Sequence, residues 1–237
     1  MTAVKVAVVG ANGFVGRQIC KALESDARYC AVPVIRGDSL SLLAQSEIVV
    51  HAANPARRFR AESNPEMDFE ETVEKTSRIL RAAASKRFLL VSSFSCRTQM
   101  HTNYGRNRRS CELLALGQGA AVVRLGPMFG GGRTQDSLHD LLAGKPVHVA
   151  PETRYAYVDV AWAGRKIVEM MDGAAGTLEL AAGNAVSVAE LRDRFGSTST
   201  FSGPDDTQVP QMQSDGPDAK LVFEFAGQEL KRIDQWR

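Results

Sequence analysis

Three glycines at positions 10, 13 and 16 follow a short apolar run, Val4-Lys5-Val6-Ala7-Val8-Val9, and open a helical pattern. That spacing suits phosphate binding. Gly10 permits a sharp exit from a strand, Gly13 allows the backbone to approach a pyrophosphate, and Gly16 allows the helix to pack close to the sheet. The free N–H groups of the first helical turn then face the phosphates, with the helix dipole favouring negative charge. About twenty positions further on, an acidic residue would bind a ribose 2′-hydroxyl, whereas an arginine suits a 2′-phosphate. Arg36 stands there, which favours NADP over NAD; Asp38, two residues on, keeps NAD open.

The elements that must position these residues alternate in kind. Apolar runs at Val4–Val9, Cys30–Ile35, Ile48–Ala52, Phe88–Ser92, Ala121–Leu125 and Thr177–Ala181 read as buried parallel strands. Helical patterns fall between or after them, at Gly16–Ala27, Leu40–Gln45, Pro65–Ser85, Tyr104–Leu116, Val158–Met171 and Val188–Phe195, the last opened by Ser187 as an N-cap. This alternation predicts an α/β fold, a Rossmann-like doubly wound parallel sheet; the resemblance set out below implies a small C-terminal substrate-binding region. Residues 1–130 form the dinucleotide-binding core and 131–237 the reduced substrate region, of which 155–181 return a helix and a strand to the core. Ser197–Gly216, rich in Ser, Thr, Asp, Gly and Pro, reads as a loop, and Ala219–Arg237 as a segment folding back onto the body.

Composition narrows the function. In 237 residues, 44% are hydrophobic, enough for a substantial core, and a formal charge of +2 points to no nucleic-acid partner. Cys20, Cys30, Cys96 and Cys111 form no CxxC pair and suit free thiols in a reducing compartment. His51, His101, His139 and His148 lack metal-ligand spacing, so no metal is expected. The N-terminal apolar run is too short for a signal peptide and no stretch could span a bilayer, so the expected location is cytoplasmic, away from membranes. The arginines Arg57, Arg58 and Arg60 could meet a phosphate, but a solvated loop is the commoner reading of such a cluster.

The motifs fall in an order that resembles the extended short-chain dehydrogenase/reductase family of epimerases, dehydratases and reductases. Gly10-Ala11-Asn12-Gly13-Phe14-Val15-Gly16 is similar to the GATGFIG turn, and Ile48-Val49-Val50-His51-Ala52-Ala53 to the strand ending beside the nicotinamide ribose. Leu90-Val91-Ser92-Ser93 resembles the strand ending at the active-site hydroxyl, and Tyr104-Gly105-Arg106-Asn107-Arg108 resembles YGxxK. Val123–Gly130 resembles the strand and turn that pass the nicotinamide, and Arg154–Ala161 the later RDFVHVDDVA segment. Two departures stand out: Arg108 replaces the lysine, and the connection from Gly132 to Arg154 is short.

The resemblance implies an NAD(P)-dependent oxidoreductase acting on a carbonyl or hydroxyl carbon of a sugar-like or other small polar substrate. Tyr104 would be the general acid/base, Ser93 would hold the reacting oxygen, and Arg108 would lie on the same helix face as Tyr104. Arg108 keeps a positive charge but cannot relay a proton by titrating. The cofactor would contact Gly10, Asn12, Gly13, Phe14, Val15, Gly16, Arg36, Asp38, Ala52, Ala53, Tyr104, Arg108 and Pro127. The substrate would meet Ser93, Asn103, Met128 and Arg154. An epimerase of a (nucleotide-)sugar and a non-catalytic NAD(P)-binding sensor or scaffold remain alternatives. Phe94 and Ser95, where dehydratases carry acidic residues, argue against a dehydratase. The resemblance also implies a homodimer through helices 65–85 and 104–116, although Glu74, Arg78 and Arg81 lie along the first of them.

Overall fold

The computed structural model describes residues 2–211 and 214–234. The central sheet is built from apolar runs. Strand β1 (Val4–Val9) leads into helix α1 (Gly16–Glu24) and returns as β2 (Tyr29–Val34). A 3-10 turn (Leu40–Gln45) precedes β3 (Ile48–His51). Then come α2 (Arg58–Ser63), α3 (Pro65–Phe69), a π-helical turn (Glu70–Glu74) and α4 (Lys75–Ala82). Strand β4 (Arg87–Ser93), α5 (Ser95–Thr98), α6 (Asn103–Leu116) and β5 (Ala121–Leu125) follow.

The second half carries shorter elements. They are β6 (Met128–Phe129), α7 (Ser137–Leu142), β7 (Arg154–Tyr155), β8 (Val158–Asp159), α8 (Val160–Met170), β9 (Thr177–Leu180), β10 (Val186–Ser187), α9 (Val188–Arg194) and α10 (Leu221–Asp234). None of the described helices is long and apolar enough to cross a membrane.

The main sheet runs β2-β1-β3-β4-β5-β9. Pairings from β2 through β5 are parallel, with Val9 opposite both Val34 and His51, and Ser93 opposite Leu125. From β1 the chain moves outward to β2, then crosses back to place β3 on β1's other side. That reversal makes a switch point between β1 and β3, and in open α/β sheets ligands bind beyond the carboxyl ends of such strands. Strand residues alternate between faces. Ala7, Val9, Val49, Leu90 and Val122 pack with Ile79 and Leu80 of α4 and Cys111 and Ala115 of α6 in one buried cluster. On α1, Ile19 and Leu23 are buried, and Gly164 of α8 lies so close to Gln18 that a Cβ there would come within 2.8 Å of its backbone.

Two compact units divide the chain: Met1–Leu125 with Ala161–Leu178, and Gly126–Val160 with Glu179–Arg237. The second holds two small pairings, β6 with β8 in parallel and β7 with β10 antiparallel. Its helix α9 starts at a capping box, in which Ser187 Oγ accepts the Glu190 N–H and Glu190 accepts the Ser187 N–H. Phe225 of α10 packs against Phe129, their ring centroids 5.3 Å apart.

Several expected boundaries shift. The helix expected over Pro65–Ser85 is α3, the π turn and α4 in succession, and Ser85 ends it in a left-handed conformation at φ 69°. The segment Arg57–Arg60, read as a solvated loop, instead starts α2. Helices α5 and α7 fall where no regular element was expected, and the helix expected over Val158–Met171 begins only at Val160, its first two residues forming β8. The stretch 197–216 has little regular structure where described, and Met212 and Gln213 lie outside the described residues, as do the last three residues of the segment expected to fold back.

Candidate functional site

The glycine turn sits at the switch point. Gly10 adopts φ 89°, and a Cβ there would lie 2.8 Å from Ala53 Cα and 2.9 Å from the Ala52 carbonyl oxygen. Only glycine lets β1's exit rest against the end of β3. At Gly16 a Cβ would come within 2.1 Å of the Gly10 carbonyl oxygen, so the start of α1 is pressed onto the turn itself. Asn12, Phe14 and Val15 fill the turn, and Val15 leads into α1 with its carbonyl accepting the Gln18 and Ile19 N–H groups. Gly10, Gly13, Gly16, Ala52 and Ala53 are thus brought together around the N-terminus of α1.

Beyond Ala53 lies a buried polar layer. The imidazole of His51, fully buried, shares a 3.0 Å hydrogen bond with Thr76 Oγ and accepts the Ala53 N–H at 3.3 Å. Burial, reinforced by the charges of Lys75 and Arg108, pulls its pKa down to about 3, so the ring is neutral. Lys75 Nζ donates to the Ala53 carbonyl at 2.7 Å and meets Glu71 Oε2 at 3.3 Å. Burial lowers its pKa, against the opposing pull of Glu71.

At the end of β2, Arg36 reaches Glu71 Oε2 with Nη2 at 3.2 Å, its side chain 86% exposed. Asp38 turns inward instead, its Oδ2 accepting the Ile35 N–H at 2.8 Å and closing the tight turn that carries Gly37. Arg36, Arg57, Arg60, Asp68 and Glu71 border one cavity of about 380 Å³, with Pro55, Ala56, Asn64 and Met67 completing its wall. The arginines read as loop charges therefore line a concave site.

Helix α6 carries the second group. Its N-cap Thr102 accepts the Gly105 N–H at 3.0 Å, and Glu62 of α2 accepts the Asn103 and Tyr104 N–H groups at 2.7 and 3.3 Å. A carboxylate at a helix N-terminus complements the dipole. Glu62 also takes the Asn103 side-chain amide at 3.2 Å. Tyr104, Arg108 and Glu112 follow at four-residue intervals, and all three are buried. The Arg108 guanidinium lies over the Tyr104 ring, its carbon 4.7 Å from the centroid. Arg108 Nη2 donates to the Pro55 carbonyl, while its buried Nη1 has no hydrogen-bond partner among the described residues. The arginine thus meets the face of the ring.

Ser93, half-buried at the end of β4, accepts the Ser95 N–H at 3.3 Å and donates to Ser95 Oγ at 3.3 Å. Just before it, Ser92 Oγ donates to Glu112 Oε1 at 2.7 Å. Arg124 binds both oxygens of Glu112, Nε at 2.9 Å and Nη2 at 2.8 Å, and Arg109 adds a contact at 2.9 Å. Burial opposes ionisation of Glu112, but the bonds from Arg124, Cys96 and Ser92 outweigh it and hold the carboxyl below the usual glutamate range. The neighbouring Cys96 thiol is pushed up to about 12 by burial, which leaves it protonated and poorly nucleophilic.

Pro127, Met128 and Arg154 belong to the second unit. The Pro127 carbonyl accepts the Val158 N–H at 3.0 Å, and Met128 pairs with Val158. The Arg154 guanidinium donates to the Ala185 carbonyl at 2.7 Å, which draws it to its own unit. Sequence reasoning missed Glu62, Glu71, Lys75 and Glu112. Of these only Glu112 left a signal, its spacing of eight from Tyr104.

Residues 6–110 match the model of the NAD-dependent epimerase/dehydratase family. A ceramide reductase of Caulobacter vibrioides is 30% identical over 192 residues, covering 69% of this chain and 59% of the relative, so the match spans under two thirds of that protein's length. Among solved structures, UDP-glucuronic acid 4-epimerase from Bacillus cereus, in complex with UDP-glucuronic acid and NAD, superposes with a TM-score of 0.76 at 17% identity, over 99% of this chain and 100% of the other. The dTDP-4-dehydrorhamnose reductase from Bacillus anthracis, in complex with NADP, gives 0.73 at 14% identity, over 97% and 99%. At such identities the structures speak for the fold alone. Residues 6–110 thus carry the pattern of the NAD-dependent epimerase/dehydratase family, and the whole chain shares the Rossmann-like fold of these structures.

Proposed function

We propose that the chain is an NAD(P)-dependent oxidoreductase that reduces a carbonyl, or oxidises the corresponding hydroxyl, on a sugar-like or other small polar substrate. The observation that carries this reading is the buried Tyr104 at the first turn of α6, held by the Glu62 cap and covered by the Arg108 guanidinium. The nicotinamide, when bound, supplies or accepts the hydride. Tyr104 donates its phenolic proton to the carbonyl oxygen in reduction and takes it back in oxidation. Ser93 turns its hydroxyl from Ser95 to the same oxygen and fixes its position. The unpaired Arg108 Nη1 is a ready donor for a cofactor hydroxyl.

The glycine turn fits a pyrophosphate, since Gly10 and Gly16 sit where any Cβ would strike backbone and so keep side chains out of the turn that leads into α1. Arg36, Arg57 and Arg60 around one cavity support NADP over NAD. The second unit serves as the reduced substrate-binding region, with Met128 and Arg154 as its contacts. A reductase is favoured over an epimerase by the name of the Caulobacter relative, a ceramide reductase. Exposed Leu113 and Leu114 on α6 and Met67 and Phe69 on α3 support a homodimer through these helices, which light scattering would detect.

The test is NADPH oxidation with ketosugars and a ceramide-type ketone. Activity in the native protein that falls at least a hundredfold in Tyr104→Phe, with cofactor affinity kept, is the expected result. Tight cofactor binding with no turnover on any ketone would instead favour the sensor reading.

A further inference from the structure

We infer that Glu71 is a specificity residue for the cofactor, holding back the preference for a 2′-phosphate that the arginines around the cavity create. The inference rests on the reading that this cavity takes the adenosine end of the dinucleotide. Glu71 stands in the π turn between α3 and α4, on the wall of that cavity. Its Oε2 receives Arg36 Nη2 at 3.2 Å from the end of β2 and Lys75 Nζ at 3.3 Å from α4. One oxygen therefore ties the residue best placed for a 2′-phosphate to the lysine that braces the Ala53 carbonyl at the end of β3.

The consequence is electrostatic. A 2′-phosphate entering the cavity meets Arg36, Arg57 and Arg60, but also Glu71 and Asp68. The Asp68 carboxylate is buried and receives the Asn107 amide at 2.8 Å, so it is bound into the wall. Glu71 is the acid that competes directly for Arg36. A phosphate must displace it from the guanidinium and accept a like charge across the cavity. A ribose 2′-hydroxyl faces neither cost and can donate a hydrogen bond to the same carboxylate. Arg36 is 86% exposed and Glu71 38%, so their ion pair contributes little to stability and its removal leaves the fold intact.

The test uses fluorescence titration or calorimetry of the full chain with NADPH and NADH, so its readout is affinity. Glu71→Gln should raise the NADPH-to-NADH affinity ratio about tenfold, the value of one like charge several ångströms away in a partly solvated site. Arg36→Gln, at an exposed position that the fold does not need, should erase that gain in the double variant. A ratio unchanged within twofold in Glu71→Gln, while both cofactors still bind, overturns the inference and leaves the oxidoreductase reading standing. So does a gain that survives Arg36→Gln. If the native protein binds neither cofactor, the cofactor reading and this inference fall together.

Discussion

Replacing Glu112 with glutamine keeps the shape of the side chain and removes its charge from the join between α6, β4 and β5. Arg124, with 11% of its side chain exposed, loses the counter-ion for both its Nε and Nη2, and Ser92 and Arg109 lose theirs in part. A hydrogen bond to a charged group contributes roughly 1 kcal/mol more than a neutral one. Three such bonds weakened together, two from Arg124 and one from Ser92, give a loss of about 3 kcal/mol. That is the low end of the range for breaking a buried pair, as expected when the further partners are the neutral Cys96 thiol and the partly solvated Arg109. Urea titration should show the loss as a lower midpoint at constant slope, and thermal melting as a fall of roughly 6–12 °C. Because the Glu112 carboxyl is held below the usual glutamate range, its contribution is present above that range and fades as pH falls through the lowered value. The acid limb of the stability curve should therefore be shallower in Glu112→Gln. A loss under about 1 kcal/mol, or an unchanged acid limb, would refute the ledger.

Two further outcomes follow from local geometry. Gly16→Ala should cost about 1–3 kcal/mol and weaken nucleotide binding, because its Cβ meets the Gly10 carbonyl, a backbone atom that cannot swing aside; denaturation and cofactor titration read the two effects separately. His139, with Nδ1 2.7 Å from Asp136 and Nε2 3.9 Å from Glu229, has its pKa raised above the usual histidine range by the Asp136 hydrogen bond. Its contribution is complete below that range and is lost as pH rises through the raised value, so melting should worsen from pH 6 toward alkaline in the native protein and change less in His139→Gln.

How much of this was legible varies with the range of the forces involved. The inner strands of the main sheet announced themselves because strands buried on both faces are continuous apolar runs, as at Val4–Val9 and Ala121–Leu125, whereas the edge strands β2 and β9 are only partly buried. Strands of two residues, such as Met128–Phe129 and Val186–Ser187, hold no period to detect. Arg57 and Arg60 looked like solvated loop charge because charge patterns do not reveal concavity. Glu71 and Lys75 find Arg36 and Ala53 only after strands β2 and β3 are placed on either side of β1, at separations of 35 and 22 residues. Tyr104 and Arg108 were legible as a pair from their spacing of four, yet the Arg108 contact with Pro55 belongs to the fold rather than to the helix.

The π turn at Glu70–Glu74 also has a meaning for how such a chain tolerates length changes. A wider turn accommodates one surplus residue, and each residue in a helix advances the face by about 100°. Deleting a single position upstream of Lys75 would let α3 run on into α4 as one regular helix, while Lys75 and Thr76 kept their places beneath β3. Everything before the deletion, Asp68 included, would be re-phased around the axis by about that angle. The segment therefore behaves as a phase joint: indels here rotate one wall of the cavity and spare the sheet.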